Sequence, residues 1–339
     1  MARFGVRGHK AAVRLLERGI SEHRLHHAYL FIGPAHVGKT TLAIEFAQAV
    51  TCDDDDEACH QRVASGNFPD VRFIRVGEGD DAGPRTQIGI GVVRDTIAMA
   101  NLRPFEGPSH VFIFEGADHM SHDAANALLK LLEEPPPDVL LILLTEDAGS
   151  VLDTVRSRCL AVEMRPLPVA DVAQVLRDER GVAPDQAEAT ARLSRGCIGW
   201  ALNAVEDQSA LTEIHQRMER VVDVAEGGIE TRFAYADDFG RRSGRDRAAG
   251  REELYAWLRW LRDVILVQQG RGDDITNLGW RSTIERHAAA LSEAQSVRWA
   301  QRVGETIEAV DRNANARLAV EALLLDAPAL PGPPRATVA

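Results

Sequence analysis

Residues 28–41 read AYLFIGPAHVGKTT. A short apolar run feeds a glycine loop, and TLAIEFAQAV (41–50) then takes up a helical spacing. Inside this stretch GPAHVGKT matches G-x-x-x-x-G-K-[ST], between a strand and a helix, the context the motif requires. Gly33 and Gly38 let the backbone curl so that its N–H groups point at phosphate oxygens. Lys39 reaches the terminal phosphates, and the Thr40 hydroxyl, with Thr41 beside it, can sit on a magnesium ion. The helix N-terminus adds a partial positive charge. ATP or ADP with magnesium is the expected ligand.

Working outward, further apolar runs occur at DVRFIRV (70–76), HVFIFE (110–115) and LLILLT (140–145). Helical stretches lie between them, among them VVRDTIAMAN (92–101) and HDAANALLKLLEE (122–134). Strands that are apolar throughout and alternate with helices predict a parallel sheet covered on both faces. Past MRPLP (164–168) only helical patterns remain, the strongest being ELYAWLRWLRDVILVQ (253–268) and VRWAQRVGETIEAVDRNANARLAVEALLL (297–325). The segment 227–250 is polar and contains glycine, and reads as a mobile connection. The Pro- and Ala-rich tail reads as disordered. The expected fold is therefore α/β plus all-α: a P-loop core over 1–165, a small helical lid over 166–208, a helical domain over 209–327 and a tail over 328–339.

With 339 residues, 45% hydrophobic and 27% charged, the chain has material for more than one packed core. Its formal net charge of -12 is a poor basis for wrapping nucleic acid unaided, since phosphates need a basic footprint. DNA contact then falls to partners or to a local patch, for which Arg94, Arg103 and Lys130 are candidates against a solvated-surface reading. The N-terminal MARFGVRGHKAAVRLL carries charges and no apolar run, so it is not read as a secretory signal, and no stretch reaches the ~20 apolar residues of a membrane span. The spacing of Cys52, Cys59, Cys159 and Cys197 suggests no disulfide framework, and a cytoplasmic location is expected.

The acidic pair that should complete a hydrolytic site is where the pattern breaks. After VFIF, an Asp normally supports magnesium and the next residue, a Glu, polarises the attacking water. Here those positions hold Glu115, a longer carboxylate that could reach the metal through water, and Gly116, which has no side chain. Asp118 and His119 follow, past the strand end, and are read as facing elsewhere. The expectation is a site that binds nucleotide and hydrolyses it poorly.

The block NALLKLLEEPPPDVLLILLTEDAGSVLDTVRSRC (126–159), with HHAYLFIGPAHVGKTTLAIEFAQAVTC, RWLRDVIL and NANARLAVEALLL, resembles the clamp-loader ATPases of the AAA+ class, the loaders of bacterial DNA polymerase III. The resemblance covers most of the chain. It implies a hetero-oligomeric ring with tau/gamma and delta subunits, held by the last helical domain as a collar, acting on the sliding clamp and primer-template DNA. It implies no membrane partner and no polymerase chemistry in this chain. The arginine of the SRC triplet, Arg158, would enter the neighbouring subunit's ATP site; the plain alternative is a surface arginine at a helix end, the reading given to Arg156. Thr145 matches the residue that senses the γ-phosphate, or is an ordinary strand-end threonine. Hydrolytic relatives carry a lid arginine where GCIGWAL places Gly199. With Gly116 this favours a non-hydrolysing subunit over an active tau/gamma-type motor; a nucleotide switch outside replication is the third reading. Relatives also hold zinc on four cysteines, whereas TCDDDDEACH leaves only Cys52, Cys59 and His60, so no zinc is expected.

Overall fold

The computed structural model describes residues 4–77 and 86–332. In chain order the elements are α1 (Lys10–Ser21), β1 (Ala28–Ile32), α2 (Lys39–Thr51), α3 (Glu57–Ala64), β2 (Val71–Arg75), α4 (Ile90–Ala100), β3 (His110–Glu115), α5 (His122–Glu133), β4 (Val139–Thr145), α6 (Asp153–Arg156) and β5 (Leu160–Glu163). Helices alone follow: α7 (Val169–Arg180), α8 (Pro184–Leu193), α9 (Ile198–Glu206), α10 (Ser209–Glu226), α11 (Ile229–Arg245), α12 (Arg247–Gln268), α13 (Arg281–Ala290), α14 (Glu293–Asp311) and α15 (Ala316–Leu325). The chain divides into two compact units, residues 1–172 with 195–200, and residues 173–194 with 201–339. The helices read as a lid, α7 to α9, are thus shared between the two.

In the first unit the strands form one parallel sheet in the order β2-β3-β4-β1-β5. Every residue of β4 is buried, which is why VLLILLT carries no polar alternation. Tyr29 and Phe31 of β1 pack on one face with Leu42 and Phe46, while Ala28 and Leu30 pack on the other with Leu128 and Leu141. The register pairs Ile32 with Thr145 and Leu144 with Glu115. The carboxyl ends of β1, β4 and β3 therefore lie side by side where the glycine loop leaves β1, the usual place for a ligand in such a sheet.

The second unit has its own core around Trp257, Trp260, Phe239 and Val303, all fully buried. Residues 227–250, expected as a mobile connection, are mostly helix α11, and the correction has a physical reason. Arg232, Tyr235, Ala236, Phe239 and Ser243 form its buried face, and the polar members hide the helical period. The Arg232 guanidinium donates to the carbonyls of Ala225, Leu324, Ala327 and Pro328, satisfying acceptors left over where α10 and α15 end. Residues 328–332 of the expected disordered tail are described, and they are not all loose. Leu330 is buried in this core, and the Pro331 carbonyl accepts from Arg286. Residues 333–339 of that tail lie outside the described residues.

Candidate nucleotide site and exposed arginine

The glycine loop is anchored at both ends. Gly33 donates its N–H to the Thr145 carbonyl at 3.2 Å, and Val37 is fully buried beneath the loop. His9, at the start of α1, bonds through Nε2 to the Val37 carbonyl at 3.0 Å, a contact that gave no signal in the sequence. Gly38 caps α2 with φ of 114°. The N–H groups of residues 38–41 have no hydrogen-bond partner among the described residues, which is the donor array a phosphate group requires. Thr40 and Thr41 stand exposed in the first turn of α2. Lys39 folds back on its own loop, donating from Nζ to the carbonyls of Gly33 at 2.7 Å and Pro34 at 2.9 Å. Burial lowers its pKa from the usual lysine value, opposed by the negative charges of Glu146 and Asp118. These residues fit the phosphates of a nucleotide: the loop and Lys39 would hold them, and the Thr40 hydroxyl would face a magnesium ion that neutralises phosphate charge.

The carboxylates are arranged otherwise than the sequence suggested. Glu115 is drawn toward β2, the strand on the far side of β3 from the loop, where its Oε2 accepts from Arg75 Nε at 2.7 Å. Gly116 has φ of 86°, and a Cβ there would stand 3.0 Å from Val76 Cγ2. The chain turns in this left-handed conformation into a 3-10 turn over Ala117–His119. Asp118, in that turn, has a side chain only 14% exposed, 3.9 Å from His119 Nε2, and its negative charge raises the Lys39 pKa. Glu146, one residue past β4, acts on it too. Asp118 was named but set aside and Glu146 was passed over, because how the chain turns past the ends of β3 and β4 is not displayed in the sequence. Thr145 is buried, and its hydroxyl closes a local turn, donating to the Asp147 carbonyl at 2.9 Å and accepting from the Asp147 N–H at 3.2 Å.

Arg158 lies apart from this loop, between α6 and β5. Its Nη2 donates to Glu133 Oε1 at 2.6 Å and its Nη1 to the Thr154 carbonyl at 2.8 Å. Arg156 is held locally by Asp153 and the Ala148 carbonyl. Arg94, Arg103 and Lys130 are exposed and make no ion pair among the described residues.

The family model for the DNA polymerase III delta subunit matches residues 8–168, which hold the loop, the sheet and Arg158. A δ′ subunit of DNA polymerase III from Bacillus subtilis (strain 168) is 26% identical over 319 residues, 92% of this chain and 94% of that one. The chain is similar to the δ′ clamp-loader subunits of DNA polymerase III. The tau subunit of Escherichia coli (strain K12) is 31% identical over 216 residues, 60% of this chain but 32% of its own length. Among solved structures, a gamma-subunit-related protein from Thermotoga maritima superposes with a TM-score of 0.44 at 17% identity, over 91% of this chain and 97% of that one.

Two further features lie at Gly199 and at the cysteines. Gly199, the position at which the resemblance implied a lid arginine in hydrolytic relatives, donates its N–H to the His36 carbonyl at 2.9 Å, so the start of α9 rests on the glycine loop. Cys52 and Cys59, set out as weak zinc candidates with His60, are bonded to each other, contrary to the expectation of no disulfide. Cys52 ends α2, and Cys59 lies in the first turn of α3, whose start Asp56 caps. The aspartate-rich turn brings their Cα atoms to 5.8 Å, within reach of a disulfide. With both sulfurs so used, the residues present do not fit a zinc ion. No helix among the described residues is long and apolar enough to cross a membrane.

Proposed function

We propose that this chain is the δ′ subunit of a clamp loader. In the cytoplasm it joins tau/gamma and delta subunits, loads the sliding clamp onto primed DNA, and serves as the ring's fixed wall. It binds nucleotide in its own loop, hydrolyses it poorly and lends Arg158 to the ATP site of a neighbour. The observation that carries this reading is a division of labour within one chain. The donor array at residues 38–41 is complete, while the hydrolytic carboxylates are not: Glu115 is tied to Arg75 and Gly116 occupies a left-handed backbone position. An arginine supplied in trans is worth roughly 10³–10⁵ in rate in well-studied nucleotidases, so a subunit can contribute catalysis without performing any.

Equilibrium binding of ATP to the isolated chain, followed by single-turnover hydrolysis, tests the first half. Binding that Lys39→Ala abolishes, with no hydrolysis above background, supports the reading. Brisk turnover by the isolated chain would instead favour a motor of the tau/gamma type, which the complete loop by itself would permit.

A further inference from the structure

The Arg158 side chain is 34% exposed, and that of Glu133 is 50% exposed. An ion pair so placed contributes at most about 1 kcal/mol to folding. Its geometry is nevertheless closely defined. Glu133 is the last residue of α5, directly before Glu134 and three prolines that stop the helix. Leu131 and Leu132 of α5 and Val155 of α6 are buried in one apolar cluster, so the two short elements bearing Glu133 and Arg158 rest on a common base. From that base the guanidinium is held by Glu133 Oε1, the Thr154 carbonyl and, at 3.4 Å, Ser157 Oγ.

A guanidinium carries five N–H donors in a fixed plane. Three serve the contacts just named. The Nε–H and one Nη2 hydrogen make no contact among the described residues. A carboxylate that took the whole fork would leave nothing to offer an incoming anion. One that took none would leave a long side chain with about 2 kcal/mol of rotamer entropy to lose on engagement. The observed pairing takes one edge of the group and leaves donors on another.

We propose that Glu133 is the positioning residue for Arg158: it holds the guanidinium in the pose in which the remaining donors meet the terminal phosphate bound by the neighbouring subunit. The inference rests on the reading of Arg158 as an arginine lent in trans. Positioning of this kind acts on the transition state, where charge develops on the phosphoryl group, more than on ground-state binding. Its loss should therefore appear in kcat rather than in KM.

The test is a double-mutant cycle in the complete clamp loader, reconstituted with tau/gamma and delta subunits and assayed for ATP turnover with clamp and primed DNA. Arg158→Ala sets the full loss. Glu133→Ala is expected to lower kcat about threefold or more with KM within about twofold. Glu133→Gln, which keeps an acceptor at the same reach, is expected to recover most of the rate, and Glu133→Lys to fall to the Arg158→Ala level. In an Arg158→Ala background, Glu133→Ala should change nothing further, the mark of one residue acting through the other. Melting temperatures of the isolated variants should agree with the parent chain. A Glu133→Lys complex with undiminished turnover, alongside a slow Arg158→Ala complex, would overturn the inference and leave the reading of Arg158 standing. Undiminished turnover in Arg158→Ala itself would overturn both.

Discussion

Gly199 donates its backbone N–H to the His36 carbonyl at 2.9 Å, and a Cβ built on Gly199 would stand 2.9 Å from that same oxygen. The position at which the resemblance implied a catalytic arginine in hydrolytic relatives is thus in contact with the backbone of the phosphate loop. Gly199→Arg should therefore not convert the chain into a motor. Relieving the contact moves α9 or the loop, at a cost of roughly 1–3 kcal/mol, as overpacking does. ATP affinity should fall and hydrolysis should stay at background; calorimetric titration and a melting curve check both.

The same reasoning holds at Gly116. An L-residue in a left-handed conformation costs roughly 1–2 kcal/mol, and the new Cβ would also press on Val76. Gly116→Glu should lower the unfolding free energy by about that amount without creating an ATPase. Denaturant unfolding and a phosphate-release assay measure the two effects. A gain of turnover would mean that one side chain was all the site lacked.

How far the sequence carried these conclusions differs by element. GPAHVGKT and the unbroken apolar runs of β1 and β4 were enough for the sheet and the loop, because burial on both faces leaves an unmistakable pattern. Helix α11 was missed because Arg232 and Ser243 occupy core positions, and an arginine bound to four carbonyls does not look apolar. Asp118 was set aside and Glu146 missed for a different reason: both lie just past strand ends, and how the chain turns there is not displayed in one sequence. The Cys52–Cys59 bond depends on where α2 stops and α3 starts, and element boundaries are what periodicity fixes least.

Arg232 also yields a stability prediction. Arg232→Ala would leave several carbonyls at the ends of α10 and α15 without their donor, at roughly 2–4 kcal/mol. Arg232→Lys should not recover it, since an ammonium cannot reproduce the planar fork. Guanidinium unfolding of the full chain, followed by tryptophan fluorescence from the Trp257 and Trp260 core, reads the loss.

Acid should destabilise the chain through two buried carboxylates. Burial alone would raise the pKa of Asp70, but the N–H groups of Gly107, Phe105 and Glu106 outweigh it and hold the group below its ordinary value. Burial likewise opposes ionisation of Glu253, and the guanidinium groups of Arg220 and Arg242 prevail, again lowering its pKa. Each group binds its proton less readily in the folded chain. The stability it contributes is therefore complete above its unfolded pKa, near ~4, and is lost as pH falls through the lower folded value. Unfolding free energy should be flat in this respect above about pH 5 and decline below it. Asp70→Ala should weaken that acid dependence while lowering stability near neutral pH.

The central claim is that this chain gives its catalytic contribution to a neighbour. The most direct measurement compares ATP turnover, with clamp and primed DNA, by complete clamp loaders containing either the parent chain or its Arg158→Ala form, with ring assembly checked by gel filtration and the isolated chain assayed beside them. The account predicts an inert isolated chain, intact assembly, and turnover that falls when Arg158 is lost. An isolated chain that hydrolyses ATP briskly, with a complex indifferent to Arg158→Ala, would contradict it.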